Sequence, residues 1–196
     1  MKKAITFIVI IALSLGIGFS WTKMEDFLTK KFHPIKYYEY VEMYSEQYGV
    51  PKEIILAVIK CESSFVADAV SPKGAVGLMQ IMPSTYEWLC TKTGDEPIVS
   101  TLYDPAVNIK YGTYYLGYLY GRFGVWETTY AAYNAGDARV KGWLEDSRYG
   151  LDGRLVDIPF PETANYVEKV SDNARTYAQI LNNYDYDKVD FVPVVE

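Results

Sequence analysis

Proline and glycine punctuate this chain at helical intervals, and the pattern predicts an all-α domain. Pro34, Pro51, Pro83, Pro105 and Pro161 each head a stretch with helix-like patterning. A proline's fixed φ suits the first helical turn, and its missing N–H is an orphan there anyway. The spacing predicts helices from Pro34 to Tyr48, closed by Gly49, and from Pro51 through Glu62. Further helices are expected from Pro83 through Thr91, from an Asp104 cap and Pro105 to about Phe123, over 125–134, over 137–146, and from Pro161 to about Asn183. DAVSPKGA (68–75) reads as a loop, 92–103 as an irregular connection, and GLDGRLVDIPF (150–160) as an extended loop with room for a short strand pair. No alternating apolar-polar run of useful length argues for a sheet. The expected architecture is therefore helical, with functional loops between helices.

One of these helices carries a contradiction. In KEIILAVIKCESSFVAD (52–68), Ile55, Val58, Ile59 and Phe65 fall within roughly 60° of Glu62 on a helical wheel, while Glu53, Lys60 and Ser64 fall opposite. An ionisable carboxyl thus sits on the midline of an apolar stripe. Two readings are open. Glu62 pairs with an arginine such as Arg139 or Arg175, or it stands desolvated with a raised pKa and keeps a proton it can donate near neutral pH.

Composition narrows the function classes. At 196 residues and 49% hydrophobic, the chain can bury one well-packed domain. A net charge of −6 without a basic cluster argues against a nucleic-acid groove. The only histidine, His33, precedes Pro34 in a tether-like stretch, which argues against histidine catalysis and zinc. Cys61 and Cys90 could bridge only if their helices pack side by side. Tyrosines recur at helical spacing, at Tyr37, Tyr40, Tyr44 and Tyr48 and again at Tyr111, Tyr114, Tyr115 and Tyr118. Most are expected to pack the core, with a minority free to line a groove, where a ring stacks on a sugar and its hydroxyl bonds it.

The first 22 residues form a separate unit. Lys2 and Lys3 precede AITFIVIIALSLGIGFSW, an uncharged run near the lower limit for a spanning helix, about 17 residues. Basic residues ahead of the run place the remainder of the chain outside the cytoplasm, and Trp21 and Lys23 suit the far interface. The small-x-small patterns at Gly16-Ile17-Gly18 and Gly18-Phe19-Ser20 allow the alternative of a cleaved signal sequence and secretion. The reading taken is an uncleaved single-pass anchor over 1–22, a linker over 23–34, a catalytic domain over 35–184 and an irregular tail over 185–196.

Four motifs then appear in order: Glu62-Ser63; Gly77-Leu78-Met79-Gln80-Ile81-Met82-Pro83; Ala132-Tyr133-Asn134-Ala135-Gly136; and Pro161-Glu162-Thr163-Ala164-Asn165-Tyr166-Val167. Together they resemble the catalytic domain of the soluble lytic murein transglycosylases of glycoside hydrolase family 23, in the lysozyme-like superfamily. The similarity spans roughly residues 36–182. The chain departs from it at Asp137-Ala138-Arg139-Val140, where Pro-Gly-Arg-Val is frequent.

The resemblance implies a lysozyme-like helical fold with a substrate groove and no cofactor. It implies cleavage of peptidoglycan glycan strands between N-acetylmuramic acid and N-acetylglucosamine, leaving 1,6-anhydro ends. It assigns Glu62 as the acid/base and Tyr166 as the phenol that holds its carboxyl. Ser63, Gly77, Met79, Gln80, Tyr133 and Asn134 are the expected substrate contacts: neutral hydrogen-bonding groups, a ring, a glycine for close approach and a flexible apolar wall. Most glycosidases use two carboxyls, but none of Asp68, Asp104, Glu127 and Asp137 has an equally apolar setting. The rivals are a hydrolytic muramidase of the same fold and a wall-binding assembly module without turnover.

Overall fold

A computed structural model describes residues 24, 28, 29 and 31–182. The chain divides into two compact units, Met1–Pro34 and Ile35–Glu196. The expected anchor over 1–22 and tail over 185–196 lie outside the described residues. Among the described residues no helix is long and apolar enough to cross a membrane.

Among the described residues of the second unit seven α-helices succeed one another: α1 (Tyr38–Tyr48), α2 (Lys52–Ser63), α3 (Pro83–Thr93), α4 (Pro105–Phe123), α5 (Trp126–Ala135), α6 (Asp137–Glu145) and α7 (Pro161–Asn182). Helix α1 starts four residues later than Pro34 predicts. Tyr37 adopts a left-handed conformation, φ 57°, which an α-helix of L-residues cannot continue through. Helix α3 runs two residues past Thr91 and stops on Gly94, φ 78°. The irregular connection after it contains a 3-10 helix, Val99–Tyr103. At α4 the Asp104 carboxylate accepts from the backbone N–H groups of Ala106 (2.7 Å) and Val107 (3.2 Å), satisfying two orphan donors of the first turn. Strands β1 (Gly150–Leu151) and β2 (Arg154–Leu155) pair antiparallel around Asp152-Gly153, both at positive φ, as a tight hairpin requires.

Helix α2 runs through the middle of the core. Its apolar surface is wider than a stripe: Ile54, Ile55, Leu56, Ala57, Val58 and Ile59 are all buried, and the helix packs chiefly against α7. Phe65, just past its end, meets Tyr177 of α7 at 6.5 Å. Helix α1 lies against α4 through a tyrosine seam in which Tyr48 is 6.1 Å from Tyr44 and 5.3 Å from Tyr114.

The segment between α2 and α3 is held by one side chain. Val76 and Ile81 exchange backbone hydrogen bonds at 3.0 Å, closing a tight loop over 77–80. From α4 the fully buried Asn108 reaches into it. Its Nδ2 donates to Val76 O (2.9 Å) and Leu102 O (2.8 Å), and its Oδ1 accepts from Met79 N–H (2.8 Å). A Cβ at Gly77 would run into the Asn108 amide and lie 2.6 Å from Leu102 O, so this position must be glycine, the more so at φ 81°. Gly112 of α4 similarly leaves room for the Met79 side chain.

Replacing Asn108 with alanine removes a partner from three buried backbone groups; Val76 O keeps the Ile81 N–H, while Met79 N–H and Leu102 O lose the bond this side chain makes. At the cost of leaving such groups unpaired, this variant should lose about 3 kcal/mol of stability in urea unfolding, while Asn134→Ala at an exposed position should lose less than about 1 kcal/mol.

Candidate active site

Glu62 lies in the last turn of α2, next to the chain reversal at Ser64 and Phe65, both of which have positive φ. Left-handed backbone at two successive non-glycine residues is uncommon and persists only where surrounding packing enforces it. Phe65, buried under α7, supplies that packing. The reversal leaves the Glu62 side chain half-buried. No ion pair among the described residues includes it. Arg175 is bound to Asp172 one turn away, and the Arg139 guanidinium lies 5.5 Å from the Phe160 ring. Of the two readings left open by the sequence, the arginine pair is absent.

What meets Glu62 is a phenol. Tyr166 on α7 donates to Glu62 Oε1 at 2.6 Å. Burial raises the Glu62 pKa to about 7, and the Tyr166 hydrogen bond, which favours the carboxylate, pulls the other way. The end of a helix is also a poor place for a negative charge. Burial likewise pushes the Tyr166 phenol well above its ordinary range, with the Glu62 charge adding to it. The hydroxyl therefore remains a donor at every physiological pH.

A cavity of about 200 Å³ is lined by Gln80, Met82, Tyr115, Tyr133, Asn134 and Gly136 among others, but by neither Glu62 nor Tyr166. Tyr133 joins it to the acid. Its phenol donates to Met79 O (2.8 Å), and its own pKa is pushed well up by burial and then by Glu62. Asn134 Oδ1 accepts from Thr163 Oγ1 of α7 (2.8 Å). The Gln80 amide nitrogen donates to Ala69 O (3.1 Å) and Gly77 O (2.9 Å), so its carbonyl oxygen is the atom left for a ligand. A second hollow between Trp126, Tyr130 and Arg175 shares no lining residue with this cavity.

Glu62, Tyr166 and Tyr133 thus come together from α2, α7 and α5, and Tyr133 lines the cavity with Gln80 and Asn134. Three expected contacts differ. The Met79 side chain is fully buried over Gly112 and forms no wall of the cavity. Gly77 is buried too, and its lack of a side chain admits Asn108 rather than a ligand. The Ser63 hydroxyl donates to Leu78 O at 2.8 Å, so its proton braces the loop. Asn108 is not among the residues that sequence patterning singles out, although an asparagine between Val107 and Ile109 on the inner face of a helix is a polar group in need of partners. The four other acids are placed elsewhere: Asp104 caps α4, Asp137 pairs with Arg122, Glu127 borders the second hollow, and Asp68 is exposed. Cys61 and Cys90 are both free. Cys61 Sγ accepts from Asn173 and Cys90 Sγ lies beside the Tyr111 hydroxyl, each at 3.5 Å.

Known proteins share this fold and much of this sequence. The family model described as Transglycosylase SLT domain matches residues 39–152, which leaves Tyr166 beyond its end. The chain is 38% identical over 156 residues to the soluble lytic murein transglycosylase of Escherichia coli K12, covering 76% of this chain and 24% of that protein. It is 33% identical over 181 residues to the membrane-bound lytic murein transglycosylase C of Edwardsiella ictaluri, covering 78% and 49%. The crystal structure of an inactive glutamate-to-glutamine mutant of the lytic transglycosylase Slt from Pseudomonas aeruginosa superimposes with a TM-score of 0.69 at 36% identity, covering 76% of this chain and 25% of that one. The chain spans a quarter to a half of the length of these relatives.

A carboxyl whose pKa rises from 4.5 to about 7 on folding opposes folding once it must ionise. Below pH 4.5 the group is protonated in both states and contributes nothing. As pH rises from 4.5 to 7 the unfolded state ionises first, and stability falls. Glu62→Gln should therefore be more stable than the parent chain by roughly 3 kcal/mol at pH 8 and close to it at pH 4, measured by denaturant unfolding at the two pH values.

Proposed function

This chain belongs to the transglycosylase SLT domain family, and from that premise we propose that it is a peptidoglycan lytic transglycosylase, cutting the β-1,4 bond between N-acetylmuramic acid and N-acetylglucosamine and leaving a 1,6-anhydromuramic acid end. One observation carries the reading: a solitary carboxyl with its pKa lifted to about 7, held by a phenol and free of any counter-cation among the described residues. The chemistry asks for such a group. It must give a proton and then take one, so its pKa belongs near working pH.

In the first step Glu62 protonates the glycosidic oxygen that leaves with N-acetylglucosamine. The muramic acid's own 2-acetamido oxygen attacks the anomeric carbon as that bond breaks, doing the work a second carboxylate does elsewhere. In the second step the Glu62 carboxylate takes the proton of the 6-hydroxyl, whose oxygen displaces the acetamido oxygen and closes the 1,6-anhydro ring. No water is consumed, and the glutamate ends protonated as it began. Tyr166 keeps the carboxyl aimed through both steps and steadies it while it is charged. Tyr133, Gln80 through its carbonyl oxygen, and Asn134 offer the hydroxyl and amide groups that bind acetamides and sugar hydroxyls. Ser63, Gly77 and Met79 shape the loop that presents them.

We assign the catalytic domain to residues 35–184 and its location to the outside of the cytoplasm, tethered by 1–22 as a single-pass anchor. Support comes from Lys2 and Lys3 ahead of an uncharged apolar run and from the membrane-bound relative.

Mass spectrometry of digested peptidoglycan tests the activity. Fragments one water lighter than reducing-end sugars are expected, and fully hydrated ends would make the protein a muramidase instead. Glu62→Gln should release soluble fragments at least about a thousandfold more slowly; an unchanged rate would mean a wall-binding module or a different acid. Because the free enzyme needs Glu62 protonated, kcat/KM should fall as pH rises above about 7. Tyr166→Phe, by removing the bond that favours the carboxylate, should move that fall to higher pH while lowering the maximum.

A further inference from the structure

Three helices meet at the hollow that shares no lining residue with the cavity at Tyr133. The first turns of α2 and α5 bring Glu53, Ile54, Trp126 and Glu127 to it, Tyr130 follows one turn along α5, and α7 contributes Arg175. Its volume of about 340 Å³ is within the range of small-ligand sites, about 300–1,000 Å³.

An acid in the first turn of a helix offsets the positive end of the macrodipole, so Glu53 and Glu127 are each accounted for singly. The groups around them are not. Neither glutamate forms an ion pair among the described residues, although Arg175 borders the same space; that guanidinium is bound to Asp172. Tyr130 is only 3% exposed, yet its hydroxyl has no hydrogen-bond partner among the described residues, a costly state for a buried polar group. Burial, and then the charges of Glu127 and Glu53, push that phenol well above its ordinary range, so both carboxylates act on a hydroxyl that stays protonated. Trp126 adds a flat surface. Its half-buried indole stacks on Tyr120 at 4.1 Å and on Tyr130 at 6.1 Å.

These groups select a ligand. Two carboxylates repel an anion, and they occupy the helix ends that would otherwise attract one. Among the described residues no group of three or more His, Cys, Asp or Glu side chains is placed to hold a metal ion. An organic cation with several donors and a flat face fits. A guanidinium pairs edge-on with one carboxylate, offers its remaining N–H groups to the second and to the phenol oxygen, and lies against an indole.

We propose that this hollow is a docking site for an arginine side chain of a protein partner, with Glu53 and Glu127 pairing with the guanidinium and Trp126 carrying its flat face. Complementary charge argues for a basic partner, since this chain carries a net −6. The apolar lining argues for a polypeptide: Pro51, Ile54, Ala174 and Ala178 also border the hollow, a surface that the stem and neighbours of an arginine cover and a bare cation leaves wet. The site has no lining residue in common with the cavity at Tyr133, so the proposal holds whatever bond the enzyme cuts.

NMR of the full chain reads the site through the indole N–H of Trp126, identified as the signal missing from Trp126→Phe. The probes are end-blocked Gly-Arg-Gly, Gly-Lys-Gly, Gly-citrulline-Gly and Gly-Glu-Gly, and methylguanidinium chloride. The arginine peptide should shift that signal and bind about tenfold more tightly than the citrulline peptide, which keeps the shape and lacks the charge. It should bind about threefold more tightly than the lysine peptide, whose ammonium has no flat face. Glu53→Gln with Glu127→Gln should weaken the arginine peptide about tenfold while soluble fragments are released from peptidoglycan at the parent rate, and Tyr130→Phe should weaken it about threefold. A Trp126 signal that no probe moves overturns the proposal. So does a citrulline peptide that binds as well, which would mean that shape alone is read, or a glutamate peptide that binds, which would make Arg175 and the helix ends an anion site. A lysine peptide equal to the arginine peptide overturns the guanidinium assignment, and methylguanidinium as tight as the peptide makes this a site for a free cation instead of a partner.

Discussion

The acid at the centre of this domain has a hydrogen bond where a salt bridge would be the easier solution. A glutamate in apolar surroundings can be stabilised by a neighbouring cation, but pairing would drop its pKa and leave it ionised, able to accept a proton and not to give one. A phenol is a weaker partner. It orients the carboxyl and offers it one donor, without supplying the positive charge that would fix its protonation state. The balance between burial and that single donor sets the pKa near 7. The rest of the structure serves that balance: an apolar helix to desolvate the group, a strained reversal after it, and a long final helix to carry the phenol.

Around Glu62, the fold separates what lines the cavity from what supports it. The 77–80 loop illustrates the division. Gln80 faces the cavity, while Gly77, Met79 and the Ser63 hydroxyl all turn inward. Asn108 ties three backbone groups of this region together from the helix behind it. A polar residue in the core is thus a joint between the packed interior and the loop that carries Gln80.

Much of this is legible in the sequence, because helix punctuation is local. Prolines and glycines mark where α2, α3, α4 and α7 begin or end, and a helical wheel puts Glu62 among aliphatic neighbours without any tertiary information. Other features are hidden by distance along the chain. The asparagine that holds the loop bonds to residues 32, 6 and 29 positions away, and its role depends on contacts that no window contains. Met79 reads as an apolar wall because methionine is a surface residue in many grooves. It faces the core here because a glycine on α4 leaves space for it. The start of α1 departs from expectation for a similar reason. A proline announces a helix readily, but a left-handed tyrosine three residues later cannot be anticipated from propensity. The resemblance carries what periodicity cannot, namely which residue of the last helix meets Glu62.

The two halves of the acid's setting are 104 residues apart in sequence, on the second helix of the domain and the last. A ribosome delivers them in that order. While the chain is being made, the glutamate appears early and stays without its hydrogen-bond partner until α7 has emerged and docked, so a product truncated before α7 carries the carboxyl without the phenol that meets it.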